Sequence, residues 1–226
     1  MKDPYFERSV VCLCDYNEEG ALGFIINKPL PISQGELLLQ ATEIEQLIET
    51  FDNLNQDNTQ NTDSEDSLTD HQNIREQLTK APQYQKNSLF GGPVQLNSGF
   101  LLIKTTLLPE TQDSWKLQAH QDSSTNSEDG LTSDETTEFQ YEIRPASQSI
   151  SLLLLKGHSF ELILGYSGWG KGQLEQEIEL GSWLYCDSSD ISLDTLLNLP
   201  VEERYDTVLA ALGLSAGLIM MQPTEA

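Results

Sequence analysis

Two acidic, polar tracts decide how much of this chain is available to build a core. Residues 52–73 hold six acids and no Lys or Arg, among repeated Asn, Gln, Ser and Thr. Residues 110–142 hold nine acids and a single Lys, again with many Ser and Thr. Together these 55 residues carry a net charge of −14, out of −24 for the 226-residue chain. Segments so poor in apolar side chains do not bury enough surface to offset an ordering cost of roughly 1–2 kcal/mol per residue. They are expected as disordered insertions, and the remaining 171 residues are ample for one domain spanning 1–226.

The charge balance of 12 Lys and Arg against 36 Asp and Glu argues against direct DNA binding, which needs a basic footprint. The longest apolar run, 150–155, is far short of the ~20 residues that span a membrane. The N-terminus lacks the apolar core of a signal peptide. Three cysteines without a paired framework suit a reducing compartment, so a cytoplasmic protein is expected.

Apolar patterning predicts strands at Val10–Asp15 and Ala21–Asn27, covered on both faces and joined by a five-residue turn, with Lys28-Pro29-Leu30-Pro31 ending the pairing. Apolar residues spaced by three and four predict a helix over 34–51, and Ile74–Ala81 reads as a short helix. Strands are expected at Ser88–Phe90 and Gly99–Lys104. Trp115–Ala119 and Phe139–Ile143 are expected to pair across a disordered loop. Ile150–Lys156 reads as a short buried helix and Phe160–Leu164 as a strand feeding a tight loop of four glycines at 165, 168, 170 and 172. A helix follows near Gly172, then a strand at Trp183–Cys186, a last helix over 201–212 stopped by Gly213, and an apolar terminal piece. The mixture is α+β, because strands and helices do not alternate regularly.

Few constellations survive as reaction centres. Gly165-Tyr166-Ser167-Gly168-Trp169 fails the nucleophile-elbow pattern at its fifth position, and all three histidines precede the serine, so Ser167 reads as a turn hydroxyl. Cys12 and Cys14 point to one side of a strand and read as buried thiols; no metal and no cofactor is expected. Gly91-Gly92-Pro93 lacks the residues of a phosphate loop and reads as a turn. Glu175 and Glu179 share a helix side beside Lys171, which is the pattern of a solvated charged face. Arg8-Ser9 and Asn27-Lys28-Pro29 flank strand ends, where they either line a cleft or cap hydrogen bonds.

Four blocks, in order, resemble the signatures of the AlgH/YqgE family: Asp3-Pro4-Tyr5-Phe6-Glu7-Arg8-Ser9-Val10-Val11; Asn17 through Gly20-Ala21 to Ile25-Ile26-Asn27-Lys28-Pro29; Gly91-Gly92-Pro93-Val94; and Gly165-Tyr166-Ser167-Gly168-Trp169 through Gly172-Gln173-Leu174-Glu175 to Glu177. The resemblance implies a bacterial cytoplasmic protein with an AlgH-like fold of mixed, coiled, barrel-like sheets flanked by helices. It also implies a family that carries a transcriptional-regulator label and no established reaction; no helix-turn-helix pattern accompanies that label here. Family members carry a further N-terminal strand before the Asp-Pro motif; its loss would expose a sheet edge.

The blocks are expected to converge in a binding cleft of Arg8, Ser9, Asn27, Lys28, Pro29, Gly91, Gly92, Pro93, Tyr166, Gly168, Trp169, Gly172, Gln173 and Glu175, with no catalytic residue among them. The expected protein is a non-enzymatic regulator or interaction protein, monomer or weak dimer, with a protein or small-molecule partner. The alternative is an enzyme acting on a small or nucleotide-like anion, with Arg8 and Lys28 as anion contacts and Glu175 as acid or base. A third reading gives the acidic tracts a basic partner through long-range attraction.

Overall fold

The computed structural model describes residues 3–40, 76, 78–105, 115–117, 140–146 and 160–214. Eight strands form one mixed sheet: β1 (Val11–Asn17), β2 (Gly20–Ile25), β3 (Pro29–Ser33), β4 (Asn87–Phe90), β5 (Val94–Thr105), β6 (Trp115–Leu117), β7 (Gln140–Pro145) and β8 (Phe160–Gly170). The main path runs β1-β2-β8-β5-β7-β6, and β4, paired to β3, joins the same sheet on β8. Among the described residues only the β4–β8 ladder is parallel, Leu89 opposite Ile163. The end strands β1 and β6 approach one another, so the sheet coils toward a barrel. Helices α1 (Gln34–Gln40), α2 (Gln173–Glu179), α3 (Leu193–Asn198) and α4 (Arg204–Ala211) flank it. The expected α+β class and coiled mixed sheet are both present.

Alternation along β5 and β8 gives the sheet two apolar faces. Leu101, Ile103, Phe160 and Leu162 pack under Leu38 of α1, Leu78 and Tyr84. Phe100, Leu102, Ile143 and Ile163 pack with Phe24, Ile26, Leu89 and Tyr141, and with Leu196 of α3. Arg204 of α4 enters this second face almost wholly buried. Its Nη1–H donates to the Ile26 carbonyl at 2.5 Å, and Nη2 lies 3.6 Å from Glu161. Burial pulls that guanidinium's affinity for its proton down, and Glu161 opposes the pull.

Several sequence expectations change. The β1–β2 turn is two residues, Glu18-Glu19, because both strands extend past their apolar runs to Asn17 and Gly20. β1 is not covered on both faces: among the described residues it pairs with β2 alone, and Leu13 and Tyr16 are exposed. Lys28-Pro29-Leu30-Pro31 does not end the pairing. Pro29 and Pro31 sit in the edge strand β3, where a missing N–H costs no ladder bond. Ser33 and Glu36 form a reciprocal capping box, Glu36 N–H to Ser33 Oγ at 3.1 Å and Ser33 N–H to Glu36 Oε2 at 3.3 Å, which starts α1 at Gln34.

The expected glycine loop is instead the second half of β8, which runs unbroken to Gly170. Trp183–Cys186 forms no strand, and α3, capped by the Ser192 hydroxyl on Thr195 N–H, went unread. The β6–β7 pairing is present, Trp115 opposite Ile143, and Glu142, the last residue of the second acidic tract, is buried beside Arg144 at 2.7 Å. Residues 52–73, most of 110–142, the helix expected at 150–156 and the continuation of the 34–51 helix beyond 40 lie outside the described residues. Among the described residues no helix is long and apolar enough to cross a membrane.

Candidate functional site

The N-terminal segment folds into a turn because Asp3 satisfies its backbone: Tyr5 N–H donates to Asp3 Oδ1 at 2.8 Å and Glu7 N–H to Asp3 O at 2.8 Å. Ser9 Oγ–H closes the turn on the Phe6 carbonyl at 2.8 Å, and Arg8 takes a φ of 53°. Asn27, just beyond β2, fastens this turn to the sheet. Its Oδ1 accepts from Val10 N–H at 2.7 Å and its Nδ2 donates to the Arg8 carbonyl at 2.8 Å. Lys28 Nζ donates to the Pro4 carbonyl at 3.1 Å, and partial burial lowers its pKa against the pull of Glu7 and Asp3.

Gly91, Gly92 and Gly165 meet where β4, β5 and β8 come together. A Cβ on Gly91 would lie 2.3 Å from the Gly165 carbonyl oxygen, and one on Gly92 2.3 Å from that of Tyr166. Gly92 and Gly165 also hold φ of 148° and 69°. The backbone here is committed to the sheet: Gly91 N–H donates to Leu164 O, and its carbonyl accepts from Ile25 N–H and the buried Ser167 hydroxyl. Ser167 therefore crosses to a neighbouring strand rather than closing a local turn. Pro93 bends the chain into β5, and Pro29 lies opposite Leu89 in the β3–β4 ladder.

Beyond Gly168, β8 delivers Trp169 to an aromatic cluster. Phe6 lies 6.3 Å from Trp169 and 5.4 Å from Trp183, and the two indoles are 5.8 Å apart, edge to face. Both indole N–H groups donate to one oxygen of Glu177, at 3.0 Å from Trp169 and 2.8 Å from Trp183. Gln173 supplies a third bond to the other oxygen at 2.9 Å and accepts from Gly170 N–H at 3.0 Å, so α2 is sewn to the end of β8 just after Gly172. Partial burial raises the Glu177 pKa, but bonds from Gln173, Trp183 and Trp169 outweigh it and leave the carboxyl below its ordinary value.

These contacts join the four sequence blocks into one packed assembly, with individual departures. Arg8 turns away to α4, pairing with Asp206 at 2.9 Å and stacking over Tyr205 at 4.5 Å. Tyr166 faces inward against Phe24 and Phe100. Glu175 lies on the exposed side of α2, where Tyr16 O–H donates to it at 2.6 Å and holds its carboxyl below the usual range. Cys12 and Cys14 are half-buried rather than fully buried. Among the described residues no three His, Cys, Asp or Glu side chains are grouped as metal ligands.

Phe6, Glu177 and Trp183 are absent from the individual residues expected in the cleft, although Glu177 closes the fourth sequence block. Trp183 was read as part of a strand; its partnership with Trp169 arises only when α2 reverses the chain, and no local pattern records that.

A family model described as AlgH-like matches residues 1–217. The chain belongs to the AlgH-like family. A UPF0301 protein of Photobacterium profundum is 31% identical over 231 residues, covering 100% of this chain and 93% of that relative. A UPF0301 protein of Acidovorax is 33% identical over 221 residues, covering 97% of this chain and 86% of its own length. The solution structure of the AlgH protein from Pseudomonas aeruginosa superposes with a TM-score of 0.52 at 25% identity, covering 100% of this chain and 90% of that one. The AlgH-like blocks thus carry the sheet junctions and the aromatic cluster described above.

Proposed function

We propose that this AlgH-like protein is a bacterial cytoplasmic, non-enzymatic regulatory or interaction protein that binds through the surface its motif blocks build. The observation that carries this reading is the internal use of their polar groups. Asn27 is spent on the N-terminal turn, Gln173 and Glu177 on Gly170 and two indoles, and Arg8 on Asp206. What the assembly offers to solvent is a stiff scaffold rimmed by exposed Ile178, Leu180, Leu184 and Tyr185.

The enzyme alternative calls for Glu175 buried beside Arg8 with a raised pKa. It is instead exposed, its depressed pKa counts against the acid role, and Arg8 is paired with Asp206. The test is a photo-cross-linking residue at position 184 in the full chain within its native bacterium, with position 80, an exposed site outside the motif blocks, as control. A discrete protein adduct from 184 and none from 80 is expected. Turnover of an anionic metabolite that also raises the melting temperature, with no adduct, overturns the reading in favour of an enzyme.

A further inference from the structure

We infer that the face made by the outward side of β1 and the exposed side of α2 docks a Lys- and Arg-rich amphipathic segment of a partner protein. The inference rests on the interaction-protein reading and names the chemistry of the partner. Two observations on the same face carry it. The first is apolar exposure: Leu13 38%, Tyr16 59% and Ile178 37% on the two elements, with Leu180 74%, Leu184 56% and Tyr185 65% following α2 along the chain. Tyr16 joins the two elements by its bond to Glu175, and Ile178, one turn on, shares the helix side that meets Tyr16. Cys12 and Cys14 point the other way, into the core, so alternation turns Leu13 outward, and the bulge between Leu13 and Asp15 puts Tyr16 on Leu13's side.

The second is the sign of the charge around those side chains. Glu18 and Glu19 form the hairpin turn, Glu175 and Glu179 line α2, and Asp187 and Asp190 follow it. From Ser9 to Asn27 there is no Lys or Arg, and from Gly172 to Glu203 there is none either; Lys171 stands at the border. Apolar side chains ringed by ionised acids fit cationic side chains interleaved with apolar ones. A second copy of this chain would set acid against acid, and nucleic acid or an anionic lipid surface would be repelled. The chain's −24 net charge draws a cationic partner from a distance, while the apolar residues supply what diffuse attraction lacks, a defined seat.

The test measures binding of a labelled synthetic Lys/Leu amphipathic helix to the full chain by fluorescence anisotropy, with a Lys/Ser peptide of equal charge beside it. Glu175→Lys with Glu179→Lys should weaken the Lys/Leu peptide about tenfold or more, and Leu180→Ser about fivefold. Reversing two acids in the second tract, Glu128→Lys with Asp129→Lys, should change binding by less than about twofold. All these positions except the tract are exposed on described elements, and circular dichroism checks that the fold persists.

Equal losses from the two charge reversals, or equal binding of the Lys/Ser peptide, overturns the inference by reducing it to diffuse attraction. A dimer in sedimentation that Leu180→Ser dissolves also overturns it, assigning the face to self-association. If cross-linking from position 184 captures an acidic partner, the interaction reading stands and this partner class falls. If nothing is captured and an anionic metabolite is turned over, both fall.

Discussion

Replacing Glu177 by alanine tests whether the aromatic cluster is held by its carboxylate or merely by ring packing. Trp169 is 7% exposed, so its indole N–H, now 3.0 Å from Glu177 Oε2, loses its acceptor in a largely buried setting. An orphaned buried donor costs about 1–3 kcal/mol, whereas the half-buried Trp183 N–H rehydrates in part at a cost nearer ~0.5–1 kcal/mol. The expected destabilisation for Glu177→Ala is therefore about 1.5–4 kcal/mol. Glu177→Gln keeps an acceptor oxygen but loses the charge, and should cost about 1–1.5 kcal/mol.

Urea unfolding followed by tryptophan emission reads both, since two of the chain's three tryptophans lie in this cluster. The pH dependence has a definite sign. The folded carboxyl is held below its reference value of 4.5, so its contribution is present above pH 4.5 and is lost as pH falls through the depressed folded value. The gap between wild type and Glu177→Gln should close over that acidic window. A Glu177→Ala variant within about 0.5 kcal/mol of wild type at neutral pH would refute the reasoning.

Gly92→Ala should destabilise by at least about 2 kcal/mol in urea unfolding, because its Cβ would lie 2.3 Å from the Tyr166 carbonyl oxygen at a φ of 148°. Arg204→Met should cost up to about 3–5 kcal/mol by removing the donor to the Ile26 carbonyl and leaving buried Glu161 with Lys86 alone at 3.5 Å, and adding Glu161→Leu should recover part of that loss in the same assay. Tyr16→Phe should let the Glu175 carboxyl titrate at higher pH than in the wild type, followed by NMR of its side-chain carbon, with little change in the melting temperature.

Much of the sheet was legible because its strands carry local signals. The apolar runs of β1 and β2, the Trp115–Ile143 pairing and the stop of α4 before Gly213 all follow from side-chain pattern and turn chemistry. The failures have a common physical origin in tertiary context. Gly168 and Gly170 look like a loop in the sequence, yet neither has a positive φ, and β2 pairs with both to keep β8 straight. Pro29 and Pro31 look like terminators, yet an edge with one paired side accommodates them. In the candidate site the glycines were readable as points of close approach, but not which backbones approach. The convergence of Phe6, Trp169 and Trp183 on Glu177 depends on a chain reversal that no residue spacing encodes.

The placement of β8 has a consequence for biosynthesis. Its ladders reach back to β2, β4 and β5, all translated well before it, so the sheet lacks its central member until Gly170 has left the ribosome. A nascent chain of AlgH-like type is thus left with open hydrogen-bonding edges for most of its synthesis, a condition that favours slow completion and a need for shielding by chaperones.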